Sequence, residues 1–210
     1  MVKIPVGDDD FIMSPKNDFA FRLLFSDPHN KEILLDLINS ILDNRIEDFE
    51  LLNPHLFTSS TEREGILDIR ARTDGGLHID IEIQVSTFKA MEKRSIYYWA
   101  LLYIEQLDSG HPYTNLNPTI AINILDYSFF GIEDFHTCFH AYDKKHELLL
   151  TDVFEIHFLE LPKIDRVCKP YENASLFAWL SFLNAKNQKD FIMASEGKPA
   201  ISKAYDLCVL

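Results

Sequence analysis

Residues 77–85 read LHIDIEIQV, apolar at every odd position and polar at every even one, so Asp80, Glu82 and Gln84 share one face of a strand and Ile79, Ile81, Ile83 and Val85 the other. Two carboxylates and an amide in a row, just after Gly75-Gly76, have two readings. They are the solvated outer face of an antiparallel strand, which is common, or they are the seat of a cation. The preceding stretch, ILDIRAR at 66–72, has the same period and puts Asp68 on a face with Arg70 and Arg72. A hairpin through Thr73-Asp74-Gly75-Gly76 makes the two strands neighbours and lets Asp68 approach Glu82 or Gln84. Repulsion does not decide between the readings: two carboxylates about 7 Å apart repel by about 0.6 kcal/mol in bulk water and about 2 kcal/mol at an effective dielectric of 20. Donor type says more. Mg²⁺ takes hard oxygen ligands in near-octahedral geometry, commonly one or two carboxylates with water and substrate phosphate, and Asp68 and Glu82 supply such oxygens.

A second constellation is His136-x-Cys138-x-His140, whose period of two points three metal-capable side chains one way. Zinc accepts such a trio. Strand His and Cys more often pack or hydrogen-bond, however, and no fourth ligand is evident along the chain.

The elements that must position these residues follow from periodicity and punctuation. Ser14-Pro15 offers a capping hydroxyl and a first-turn proline ahead of Phe19, Phe21, Leu23, Leu24 and Phe25, a short helix. A second helix begins at Asp27-Pro28, with Ile33, Leu34, Leu37, Ile38, Ile41 and Leu42 along one stripe. Phe49, Leu51 and Leu52 then suggest a strand ending at Pro54, and 66–72 with 77–85 complete a meander. Ser86 or Thr87 is expected to cap a long helix running to about Leu107, with Ile96, Ala100, Tyr103, Ile104 and Leu107 buried, Trp99 packing beside Tyr103, and Gly110 as the stop. TIAINIL at 119–125 reads as a strand covered on both faces and parallel in the same sheet. Residues 134–142 and 152–160 read as a further strand pair, and 175–183 as a helix whose Trp179 is core or, in a truncated chain, an exposed oligomer face. The fold class is therefore α/β (α+β), a central mixed sheet of order α-βββ-α-β flanked by helices. Expected domains are an acidic flexible leader at 1–12, a main domain at 13–165, and a helical extension at 166–210 whose apolar Ile201, Ala204, Tyr205, Leu207 and Val209 suggest a truncation.

Composition bounds the partners. The 210 residues are 47% hydrophobic and 25% charged, which suits one domain with a core. Three cysteines, Cys138, Cys168 and Cys208, are an odd number without a CxxC pair, so a reducing cytoplasm is the expected compartment. No segment has the apolar length of a membrane span. The net charge of −13 opposes phosphate binding, but it is uneven. Residues 1–60 hold five Lys or Arg against eleven Asp or Glu, whereas 62–94 hold six (Arg63, Arg70, Arg72, Lys89, Lys93, Arg94) against seven.

Asp68, then Glu82-x-Gln84 on the next strand, then a helix with Arg94 and Tyr98 at i and i+4, resembles the PD-(D/E)xK nuclease core in an E-x-Q variant. With SPKNDFAFRLLFSDPHNKEILLDLINSIL at the start and RSIYYWALLYIEQLDSGHPYTNLNPTIAINIL after the EIQ, residues 13–160 resemble the PD-(D/E)xK family transposases, the Rpn recombination-promoting nucleases. The resemblance implies a restriction-endonuclease-like fold and Mg²⁺-dependent endonucleolytic cleavage of DNA linked to recombination, Mn²⁺ or Ca²⁺ being alternatives. It implies Asp68 and Glu82 as metal ligands, the Ile83 carbonyl as a third, and Asp18 on the first helix as a further acid. Asp18 is equally explained as a helix-start carboxylate favoured by the macrodipole. Gln84 stands where the superfamily has lysine and Leu67 where it has proline. An amide cannot stabilise hydroxide by charge, so it is left to orient the water while the metal carries more of the activation. Arg94 is expected to contact the scissile phosphate or to fix Glu82. Arg70, Arg72, Lys89, Lys93 and Tyr98 are expected to face DNA, concentrated in a homodimer. The competing class is a non-catalytic relative that uses the sheet for assembly or binding.

Overall fold

The computed structural model describes residues 3–5, 11–43, 45–56, 65–66, 68–167 and 172–209. The Asp8–Asp10 run, Arg63, Leu67 and Cys168 lie outside the described residues. In chain order the strands and helices are β1 (Lys3–Pro5), β2 (Phe11–Met13), α1 (Asp18–Phe25), α2 (Lys31–Ile41), β3 (Phe49–Leu52), β4 (His55–Leu56), β5 (Gly65–Ile66) and β6 (Ile69–Thr73). They continue with β7 (His78–Gln84), α3 (Met91–Ile104), β8 (Thr119–Leu125), β9 (His136–His140), β10 (Tyr142–Asp143), β11 (Leu148–Leu149), β12 (Phe154–Glu160), α4 (Ala174–Leu183), α5 (Gln188–Ser195) and α6 (Pro199–Cys208). The chain forms two compact units: 1–48 with 125–135 and 160–210, and 49–124 with 136–159.

The first unit is helical. The α2 stripe is buried as its spacing predicts, through Ile33, Leu34, Leu37, Ile38 and Ile41. Trp179 of α4 is fully buried, lies tilted against Phe25 at 5.8 Å, and satisfies its indole N–H by donating to Asp36 at 2.6 Å. Asn17 caps α1 in place of the expected Ser14, because Asn17 Oδ1 is the atom that accepts the Phe19 N–H, while Ser14 is buried and its carbonyl accepts the Asn17 N–H. Within the stretch read as a leader, β1 pairs antiparallel with β2. The C-terminal stretch forms α6, burying Ile201, Ala204 and Cys208, and Val209 bridges Ile12.

The second unit holds a six-stranded mixed sheet of order β3-β6-β7-β8-β12-β9. Its β6–β7 hairpin turns through Thr73–Leu77, with the Gly76 N–H donating to the Thr73 carbonyl and the Leu77 N–H to the Thr73 hydroxyl. Gly76 has φ +84° and a Cβ there would lie 2.7 Å from Asn117 Oδ1, so both conformation and space demand glycine. Every residue of β8 is buried, as its unbroken apolar run predicts.

Helix α3 departs from expectation. It starts at Met91 with Ala90 as its cap residue, not at Ser86 or Thr87, and ends at Ile104. Its buried residues are Met91, Ser95, Leu101 and Leu102, whereas Ile96 and Ile104 of the expected core stripe are 51% and 59% exposed. Trp99 does pack, stacked on Tyr103 and edge-on to Phe154, with its indole N–H donating to the Thr119 carbonyl.

Candidate active site

The β6–β7 register pairs Ile69 with Ile81, Arg70 with Asp80 and Ala71 with Ile79. Carried one pair outward it sets Asp68 opposite Glu82. Asp68 lies in a bend just before β6, and one of its carboxylate oxygens accepts the Ile83 N–H at 3.1 Å. The hairpin thus anchors this acid against the next strand instead of leaving it in solvent.

β7 is not the half-wet strand its alternation allows. His78 through Ile83 are all buried, Asp80 at 2% and Glu82 at 4% exposure, and only Gln84 is intermediate. The isoleucines fill one face. Helix α3 packs against β7, and Arg94 from its second turn donates to Glu82 at 2.9 Å. The guanidinium is gripped by aromatic rings, 5.0 Å from the Tyr98 centroid and 5.7 Å from that of Phe88. The i, i+4 spacing of Arg94 and Tyr98 therefore builds one clamp over the acid face.

Burial, with Glu82 and Asp68 beside it, holds the Asp80 carboxyl well above the usual carboxylate range. Burial and Asp68 also raise Glu82, against the opposing pull of Arg94. Asp80 Oδ1 is buried with no hydrogen-bond partner. A buried polar atom without a partner costs about 1–3 kcal/mol, more when charged, so this oxygen is one of the places where the fold is left unsatisfied. Asp80 completes a third carboxylate that the strand period displayed but that the E-x-Q motif does not include.

The remaining predicted residues are dispersed. Arg70 is 7% exposed and spent inside the unit, donating to Glu105 and to the carbonyls of Asn53 and His55. This geometry makes it a strut between strand and helix, unlike the DNA contact its sequence position suggested. Arg72 is exposed and pairs with Glu50 across β3–β6. Lys89 and Lys93 are exposed. Gln84 donates from its amide nitrogen to the Ser86 carbonyl at 3.1 Å. Asp18 is exposed at the first position of α1, in the helical unit, where it sits with the macrodipole. A polar cleft of about 670 Å³ opens beside Arg70, Arg72, His78 and Glu105, but its lining includes neither Asp68 nor Glu82 and does not mark the acid cluster. His78 in that lining is pushed down to about 4 by burial and by Arg70 and Arg72.

A family model described as PD-(D/E)XK nuclease family transposase matches residues 15–209. The chain belongs to this family. The match takes in α4, α5 and α6 as well as the sheet, so the PD-(D/E)XK family transposase pattern extends well past residue 160. No curated protein and no solved structure matches the chain. Membership supports a nuclease- or transposase-like function with DNA as the substrate class, and nucleases of this superfamily generally use divalent metal ions. Among the described residues, no helix is long and apolar enough to cross a membrane.

Proposed function

We propose that the chain is a divalent-metal-dependent DNA endonuclease that hydrolyses phosphodiester bonds in the course of recombination, with Mg²⁺ as its ion. One observation carries the reading: Asp80 and Glu82 are buried beside Asp68, Arg94 bonds Glu82, and Asp80 Oδ1 is left without a hydrogen bond. Three hard-oxygen carboxylates at one spot, with less cationic charge than anionic, fit a hard divalent cation. Asp68 and Glu82 would hold it, with the Ile83 carbonyl as a third donor and Asp80 adding negative charge from the same strand face. When bound, such an ion polarises the phosphoryl oxygen and lowers the pKa of a water.

The other residues act around it. Arg94 fixes one Glu82 oxygen, so the rotamer of that acid is set before any ion arrives. Gln84, its amide nitrogen held by the Ser86 carbonyl, presents its Oε1 as an acceptor that orients the attacking water. Lys89, Lys93 and Arg72 supply exposed positive charge for the DNA backbone.

The test pairs nicking with metal binding. Glu82→Ala abolishes supercoiled-plasmid nicking, while Gln84→Lys keeps or raises it; nicking by Glu82→Ala at the wild-type rate sinks the site. Calorimetric titration shows Mg²⁺ or Mn²⁺ binding in wild type and none in Asp68→Ala. Absence of binding in both overturns the nuclease reading and leaves a non-catalytic member that uses the sheet for assembly.

A further inference from the structure

A second group of metal-capable side chains lies at the other end of the sheet, where β9 pairs antiparallel with β12. The register sets Cys138 opposite His157 and His140 opposite Glu155, so all four side chains project from one face of the pair. Ligand atoms of Cys138, Glu155 and His157 lie within 4.8 Å of one another. Cys138 Sγ is 3.3 Å from His140 Nε2 and 3.6 Å from His157 Nε2, and His157 Nε2 is 2.6 Å from Glu155 Oε1. His157 and Glu155 are buried at 4% and 7% exposure, and Cys138 and His140 are exposed. The neighbouring strand thus adds Glu155 and His157 to the Cys138 and His140 of the HxCxH face.

We propose that Cys138, His140, Glu155 and His157 form a tetrahedral zinc site, separate from the carboxylate centre on β7. Zinc bonds of 2.0–2.3 Å place tetrahedral ligand atoms roughly 3.3–3.8 Å apart, and the two sulfur–nitrogen separations already match. The shorter His157–Glu155 contact is a hydrogen bond, which opens when a cation takes the place of the shared proton. One thiolate, one carboxylate and two neutral imidazoles balance the charge of the ion, and sulfur with imidazole selects zinc over Mg²⁺. His136 completes the design, because its Nε2 lies 2.8 Å from His157 Nδ1 and fixes the ring with Nε2 turned to the metal.

A proton relay through Glu155, His157 and His136 is the competing account. It has no use for the thiol, and it asks a single nitrogen, His157 Nε2, to serve both Glu155 and Cys138. An ion among Cys138, Glu155 and His157, with His140 brought in beside Cys138, serves all of them. Its consequence is structural: it crosslinks β9, an edge strand of the sheet, to β12.

The full chain, stripped with chelator and refilled with zinc or cobalt(II), tests the assignment. Wild type takes up about one zinc per chain, and the cobalt form shows the thiolate-to-metal charge-transfer absorption of a tetrahedral site. Cys138→Ser, at an exposed position, loses that absorption, while Asp68→Ala keeps both absorption and stoichiometry. His136→Ala keeps the absorption but binds roughly 10–100-fold more weakly, as the loss of a supporting hydrogen bond does. Cobalt binding without the charge-transfer absorption, zinc bound as tightly by Cys138→Ser as by wild type, or no zinc uptake at all would each overturn the proposal.

Discussion

Asp80 concentrates the tension of the site in one side chain. A group whose folded pKa is raised binds its proton more tightly in the folded state than in the unfolded one, so the folded state holds more protons above the ordinary carboxylate value near 4. Stability of the metal-free protein then falls as pH rises from that value through the raised one. Asp80→Asn removes the ionisation and keeps the shape. The variant is expected to melt about 2–4 °C higher than wild type at neutral pH without metal, corresponding to about 1 kcal/mol in a chain of this size, and to show a flatter melting profile between pH 4 and 7. Added Mg²⁺ raises the melting temperature of wild type more than that of the variant. Calorimetric scans across pH check both. A variant that melts lower than wild type at pH 7 without metal shows that Asp80 is stabilising as a carboxylate and removes it from the acid cluster.

At the scale of elements, the sheet was legible because period-two alternation and turn residues are local signals, as in the Thr73–Gly76 turn. What covers an element is not local. β7 carries the pattern of a half-exposed strand, yet its polar face is buried because α3, reached through six intervening residues, lies across it. The buried face of α3 is illegible in sequence for a related reason: Ile96 through Ile104 is one apolar and aromatic run, so helical periodicity favours no face. The same applies to β9 and β12, whose register brings Glu155 and His157 to the HxCxH face without any mark in either segment alone. The corrected face of α3 has a measurable consequence. Leu102→Ala is expected to cost about 2–5 kcal/mol by removing a buried side chain, whereas Ile96→Ala stays within about 0.5 kcal/mol, as exposed substitutions do. Urea denaturation separates the two, and equal losses would return Ile96 to the core.

For the molecule as a whole, the net charge of −13 must be reconciled with a DNA substrate. Long-range attraction is absent, so binding depends on the few cations near the site and on salt that screens the rest. Arg70 is buried and paired with Glu105 and Arg94 is held by Glu82, so among the described cations near the site exposed Lys89, Lys93 and the Glu50-paired Arg72 are the candidates for phosphate contact. Each neutralised phosphate contributes about −0.9 to the slope of log affinity against log salt, so wild type is expected to show a slope of about −2 to −3. That is shallow for a protein that works on duplex DNA. The double variant Lys89→Ala, Lys93→Ala lowers the magnitude of the slope by about 2 and weakens binding at low salt, with little dependence on DNA sequence. Anisotropy titrations over a salt series in Ca²⁺ or without metal give both slopes without the complication of cleavage. An unchanged slope in the double variant would place the DNA path elsewhere on the surface, away from the loop and helix that follow β7.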